Sequence, residues 1–255
     1  MSNFLINYIV AADFVFGVQS VTETLNADKP IDKLFIQREL SKASPKVAYV
    51  LDEAKKRDIP VAKVPLEKLN RITRKNHQGM IAFISAVRYQ PLSNIIPQLY
   101  EEGKIPLILV LDRITDVRNF GAIARTAECA GVHAIVIPSK GAAQVNSDAM
   151  KTSSGALNYL PICREPNLDK TITFLQESGL QIVACTEKTE ENIYTPDYTG
   201  PTAIVMGSEE DGISQGLIRK ADHLAKIALK GNIGSLNVSV ATAIIVYEAV
   251  RQREV

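Results

Sequence analysis

Cysteine is scarce in this chain: Cys129, Cys163 and Cys185 are the only three in 255 residues, and no two form a CxxC pair. That count argues against a disulfide framework and against a zinc site, and fits free thiols in a reducing compartment. No apolar run approaches the ~20 residues of a membrane helix, and the N-terminus lacks the basic start and small-residue cleavage pattern of a signal peptide. A cytoplasmic protein with no membrane partner is expected. The recurrent catalytic signatures are missing as well: there is no GxGxxG, no GxSxG, no HExxH, and no Gly-Lys-Ser/Thr of a Walker loop. Nucleotide hydrolysis, zinc catalysis and serine-hydrolase chemistry therefore lose ground, and no metal is expected. Repeats and low-complexity segments are also lacking.

What remains is a soluble globular composition, 46% hydrophobic and 22% charged. The net charge of +1 divides unevenly: residues 1–90 hold 14 Lys/Arg against 9 Asp/Glu, and the remainder 15 against 19. A basic small part joined to an acidic larger one suggests that the first touches a polyanion. Short units alternate in that first part, a helix over 18–26, a strand over 34–36, a helix near 44–57, and strands over 61–64 and 80–86. The expected product is a small α/β module over 13–88. Arg71, Arg74 and Lys75 lie in its basic loop 71–79 and are candidates for phosphate contact; the other reading is a solvated turn. His77 alone reads as a structural hydrogen bonder.

Residues 89–106, with Pro91, Pro97, Gly103 and Pro106 around one short helical segment, read as a linker. Over 107–255 apolar strands are expected at 107–111, 134–137, 182–185, 203–206 and 227–229, with helices between most of them. This pattern predicts a parallel sheet covered on both faces, with ligands beyond the carboxyl ends of its strands.

Three polar, glycine-containing clusters follow such strands. In the first, Asp116 to Ala127, Asn119 suits a helix cap, and Gly121-Ala122 would leave a bare first turn over which Arg125 leans. The second is Gly207-Ser208-Glu209-Glu210-Asp211-Gly212, a tight turn of which Glu209 is the acid nearest the strand. In the third, Gly231-Asn232-Ile233-Gly234-Ser235-Leu236-Asn237-Val238-Ser239, backbone donors and hydroxyls are exposed at the start of a helix over 237–251. That helix is apolar on almost every side, which predicts burial against a second copy, a wholly internal helix being the other reading.

Together these clusters resemble the three ordered motifs of the SpoU (TrmH) class of RNA ribose methyltransferases, in the SPOUT superfamily. Phe16-Gly17-Val18, His77-Gln78-Gly79 and the ending Tyr247 to Arg253 are similar to the subgroup that methylates a guanosine ribose of large-subunit ribosomal RNA. The resemblance implies a C-terminal parallel-sheet trefoil-knot domain, a ribosomal-protein-like RNA-binding domain before it, a homodimer formed through the C-terminal helix, and S-adenosylmethionine as cofactor. It further implies that Thr186, Gly207, Ile227 and Leu236 hold the cofactor, and that Arg125 is the favoured catalytic residue, positioned with Asn119, Glu209, Ser235 and Asn237. Two roles are open to Arg125. One is proton removal; the other, since a guanidinium keeps its proton, is to clamp phosphate and acidify the hydroxyl. Ala228-Leu229-Lys230-Gly231 departs from the Pro-Met often found before the family's glycine, and little effect on the methyl donor is expected. A transfer-RNA ribose methyltransferase and a non-catalytic RNA-binding protein retaining the fold are the alternatives.

Overall fold

The computed structural model describes residues 14–42 and 44–254; Asp13, where the N-terminal module is expected to begin, lies outside the described residues. The chain forms two compact units divided after Ala86.

The first unit is a four-stranded sheet in the order β1-β4-β2-β3, built from β1 (Phe14–Phe16), β2 (Ile31–Gln37), β3 (Val61–Val64) and β4 (Met80–Ile84). β2 pairs parallel with β3 and antiparallel with β4, which pairs antiparallel with β1. Leu34, Ile36, Met80 and Ala82 on one face pack against Val21, Leu25, Val47 and Val50 of α1 (Val18–Asn26) and α2 (Pro45–Lys56). Ser44 starts α2: its hydroxyl accepts from Val47 N at 3.3 Å, with Pro45 in the first turn, where a missing N–H costs nothing. The opposite face receives Leu69 of α3 (Leu66–Ile72), a helix that takes Arg71 out of the expected loop.

Two of the subgroup's matching tripeptides meet here. Gly17 N donates to Met80 O at 3.0 Å and Val18 N to Gln78 Oε1 at 3.2 Å, fastening the start of α1 to the turn before β4. His77 is buried in that turn; its Nδ1 accepts from Gly79 N at 3.0 Å, which leaves its Nε2–H to donate to Asn70 Oδ1 at 2.9 Å. Both ring nitrogens are thus used in holding the turn.

The second unit is a six-stranded sheet in the order β10-β8-β9-β5-β6-β7, parallel throughout. Its strands are β5 (Leu107–Asp112), β6 (Ala134–Pro138), β7 (Ile162–Glu165), β8 (Gln181–Cys185), β9 (Thr202–Gly207) and β10 (His223–Ala225). The continuous apolar runs are explained by burial on both sides. Leu107, Leu109 and Leu111 of β5 face one core with α5 (Val117–Cys129), α6 (Ser147–Thr152) and α9 (Val238–Arg253), while Ile108 and Val110 face the other with α4 (Leu92–Glu101), α7 (Leu168–Glu177) and α8 (Gln215–Lys220). Residues 89–106, expected to link, contain α4, whose Leu92, Ile95, Ile96 and Leu99 are buried in that second core. Among the described residues, no helix is long and apolar enough to cross a membrane.

Three local expectations are corrected. The strand expected at 227–229 lies earlier, at His223–Ala225, because Asp222 locks this register: its N donates to Ile182 O at 2.9 Å and its carboxylate accepts from Ile182 N at 2.7 Å. The helix cap expected of Asn119 is Asp116, which accepts from Asn119 N at 2.7 Å. Gly121 does not leave an open floor under Arg125; a Cβ there would lie 2.6 Å from Thr152 Cβ and 3.1 Å from Ala149 O, so it lets α5 approach α6. Gly121→Ala is accordingly expected to destabilise the fold by about 1–3 kcal/mol through overpacking, read as a lower midpoint in denaturant. An unchanged midpoint would show that α6 moves aside freely.

Candidate functional site

The carboxyl ends of β8, β9 and β10 open into one cavity of about 470 Å³, a size within the range of small-molecule sites. Thr186 directly follows β8, Gly207 ends β9, Ile227 lies two residues beyond β10, and Leu236 comes from the segment before α9; all four line this cavity, as do Glu209 and Ser235. The misassigned strand 227–229 therefore has another use. Ile227 and Leu229, once past the sheet, give the cavity apolar wall instead of sheet core.

Next to the cavity, three elements converge through one carboxylate oxygen. Glu209 Oε1 accepts from Asn237 Nδ2 at 2.8 Å, Val238 N at 3.0 Å and Asn119 Nδ2 at 3.3 Å, and Asn237 Nδ2 also donates to Asn119 Oδ1 at 2.9 Å. Asn237 caps α9, its Oδ1 accepting from Ser239 N at 3.0 Å and Ser239 Oγ at 2.5 Å. A carboxylate at the first N–H of a sixteen-residue helix is favoured by the helix dipole as well as by the hydrogen bond. Asn119, Glu209 and Asn237, far apart in sequence, are thereby held in one rigid arrangement. Arg125 stays outside it. It lies six positions past Asn119 on the exposed stripe of α5 shared with Arg118, roughly 9 Å along the helix axis, does not line the cavity, and has no hydrogen bond or ion pair among the described residues.

Sequence reasoning missed the residue that shapes the acidic turn. Arg113, a non-glycine with φ 60°, follows β5 and donates from Nη1 to Asp211 Oδ2 at 3.1 Å and from Nη2 to Gly212 O at 3.0 Å. Its neighbour Asp112 accepts from Ser214 N at 2.6 Å. The turn closes through Gly212 N to Ser208 O at 3.0 Å and Asp211 N to Ser208 Oγ at 3.1 Å. The only signal in the sequence was an Asp-Arg pair terminating an apolar strand.

The cavity's character suits an amphiphilic cation. Met206, Ile227, Leu229 and Leu236 supply apolar wall, and the carboxylates Glu187, Glu209, Glu210 and Asp211 outnumber the ammoniums Lys188 and Lys226. Burial, and then the Glu187 charge, push the Cys185 thiol up to about 12, so the cysteine in this wall is neutral and not a nucleophile. Cys129, by contrast, is exposed rather than buried among apolar groups. Among the described residues no cluster of His, Cys, Asp or Glu is placed to hold a metal ion.

In the N-terminal unit, Arg71, Arg74 and Lys75 are all exposed, and Arg71 and Arg74 line a shallow concavity with Glu67, Asn70, Ile72 and Thr73.

Comparison with known proteins agrees with both units. The model of the SpoU rRNA methylase family matches residues 106–247, and that for RNA 2'-O ribose methyltransferase substrate binding matches residues 14–90. The 23S rRNA (guanosine-2'-O-)-methyltransferase RlmB of Vibrio parahaemolyticus serotype O3:K6 is 35% identical over 249 residues, covering 94% of this chain and 97% of that protein. RlmB of Escherichia coli K12 is 41% identical over 177 residues, covering 69% and 72%. Among solved structures, an AdoMet-bound rRNA methyltransferase from Sinorhizobium meliloti superposes with a TM-score of 0.60 at 29% identity, covering 93% of this chain and 86% of that one. Because the methylase model takes in more than half the chain and the Vibrio relative nearly all of it, the protein belongs to the SpoU rRNA methylase family.

Proposed function

We propose that this protein transfers a methyl group from S-adenosylmethionine to a ribose 2′-hydroxyl of RNA, with a guanosine of 23S ribosomal RNA as the target. The carrying observation is the Asn119–Glu209–Asn237 network beside a cavity with apolar walls and an excess of carboxylates. Thr186, Gly207, Ile227 and Leu236 hold the cofactor, which when bound supplies an electrophilic methyl on a sulfonium. Glu209 fixes the start of α9, and with it the segment carrying Ser235 and Asn237, so that hydroxyl and amide groups orient the ribose.

A hydroxyl is a poor nucleophile until its proton is weakened or removed. A guanidinium in water keeps its proton, and Arg125 is exposed. Arg125 therefore acts by charge: it grips the phosphate beside the target ribose and stabilises the developing alkoxide. Residues 13–88 dock the RNA through Arg71, Arg74 and Lys75, and 107–255 carry out the transfer.

The active protein is a homodimer through α9. Val240 and Tyr247, 47% and 49% exposed, lie seven positions apart on one side of this helix, an apolar stripe left without cover in the single chain. Since Arg125 does not reach the Asn119–Glu209–Asn237 network within one chain, pairing two copies also offers the way to complete the site. Val240→Glu is expected to give a monomer in sedimentation and to lose methyl transfer; a variant that remains dimeric would refute α9 as the interface.

The decisive test is methyl transfer from labelled donor to ribosomal and transfer RNA taken from cells lacking the gene, with the product mapped. The expected product is 2′-O-methylguanosine in large-subunit RNA. Label found only in transfer RNA would overturn the ribosomal target, and donor binding without 2′-O-methylation of any RNA would overturn the enzymatic reading.

A further inference from the structure

The second face of the N-terminal sheet carries aromatic rings that pack against the Leu69 cluster without being fully covered by it. The cross-strand register places Lys33, Phe83 and Phe14 in one row across β2, β4 and β1, and Phe35, Ile81 and Phe16 in the next. These positions alternate with Leu34, Ile36, Met80 and Ala82, so they point away from α1 and α2. Phe14, Phe16 and Phe83 pack against the cluster that Leu69 of α3 forms with Phe35 and Ile81, and each remains only partly buried. The Phe14 ring lies 6.1 Å from Phe83 and 6.3 Å from Phe16, tilted against both, so the three rings adjoin.

Ammonium groups from three separate segments gather at these rings. Lys33 Nζ of β2 is 4.9 Å from the Phe83 centroid and 5.3 Å from that of Phe35, Lys68 Nζ of α3 is 5.0 Å from Phe35, and Lys75 Nζ beyond α3 is 6.0 Å from Phe16. Each pair gains a cation–π attraction, yet burial lowers the Lys33 pKa from its ordinary value, a cost of keeping a charge on this face. Over 66–75 the cations Lys68, Arg71, Arg74 and Lys75 stand against the single acid Glu67. α3 covers part of this face, and where it leaves the rings partly open, contact with water alone would favour polar side chains over phenylalanines. Flat apolar rings bordered by cations match a ligand that alternates π faces with phosphates, and only an unpaired strand presents its base faces.

We propose that this face is a stacking platform for an unpaired stretch of substrate RNA, whose bases lie on Phe14, Phe16 and Phe83 and whose phosphates meet Lys33, Lys68 and Lys75. The proposal rests on the reading that the chain acts on RNA. It adds the mode of recognition: stacking on the sheet, beyond phosphate contact by Arg71 of α3 and by Arg74 and Lys75 after it.

The test uses the full chain and a short single-stranded RNA carrying 2-aminopurine, whose fluorescence is quenched by stacking. Quenching on binding is expected; binding without any quench would overturn the platform. Phe14→Leu and Phe83→Leu keep apolar bulk but remove the ring, and each is expected to weaken single-strand binding roughly 10-fold. The same variants should raise KM for ribosomal RNA while leaving kcat and S-adenosylmethionine affinity unchanged, a split that a general loss of folding does not produce. Phe14→Tyr and Phe83→Tyr, which restore the ring, should bind as the wild type does. If the leucine variants bind normally while Lys33→Gln and Lys75→Gln bind weakly, the surface is electrostatic only and stacking is refuted. Ring-dependent binding by a wild-type protein that methylates no RNA would instead sink the enzymatic reading and leave the platform standing.

Discussion

Arg125→Ala is expected to reduce methyl transfer by about 10²- to 10³-fold, the cost of removing a donor aimed at developing oxyanion charge, while S-adenosylmethionine binds as tightly as before. The separation follows from position. Arg125 projects from the exposed stripe of α5 and contributes nothing to the cavity wall, so its loss does not touch the proposed donor pocket. Nor does it hold the fold together, since it has no hydrogen bond or ion pair among the described residues. Single-turnover transfer with labelled donor gives the rate, and calorimetry gives the donor affinity. Arg125→Lys refines the role: a point charge keeps part of the stabilisation but not the bidentate grip on phosphate, so its rate should fall between the two. Full activity in the alanine variant would remove Arg125 from the mechanism, and loss of donor affinity would relocate it to the cavity.

How far such a site can be read from sequence depends on whether a residue's role is local. The strands at 107–111, 134–137 and 203–206 were legible because burial on both faces leaves uninterrupted apolar runs. β7 was not, since Ile162-Cys163-Arg164-Glu165 is half polar, as an edge strand with one exposed half can be. Ile227 and Leu229 misled for a related reason: apolar residues serve a cavity wall as well as a sheet, and the choice was made by Asp222 gripping β8 forty positions earlier in the chain. Asn119, Glu209 and Asn237 could be picked out as three separate motifs, but that they share one carboxylate oxygen is a property of the folded chain. Arg113 gave the weakest signal, because its partners Asp211 and Gly212 are 98 and 99 positions away. The tripeptides 16–18 and 77–79 also change meaning once folded: they fasten α1 to the turn before β4.

Gly207→Ala should be the most damaging single-methyl change at the cavity proposed to hold the donor. A Cβ at this position would stand 2.2 Å from Gly212 C, 2.3 Å from Ile213 N and 2.4 Å from Gly212 O, all backbone, so no side-chain rotation can admit it. The turn 208–212 must move as a body. It is tied to Arg113 at one end, and through Glu209 to Asn237 and Val238 at the start of α9. Displacing it therefore disturbs the cavity wall and the network together. We expect a loss of about 1–3 kcal/mol in stability from overpacking, and donor affinity reduced at least about 100-fold, as for a displacement worth some 2.7 kcal/mol of contacts. Gly212→Ala is the control. Gly212 has φ 65° but open space at its Cβ position, so alanine there meets backbone strain of roughly 1–2 kcal/mol and no collision. Thermal unfolding should therefore find the two variants comparably destabilised, while donor titration should find Gly207→Ala far weaker. Equal donor affinities would mean that the turn yields without reshaping the cavity, and Gly207 would then have no special place in holding the donor.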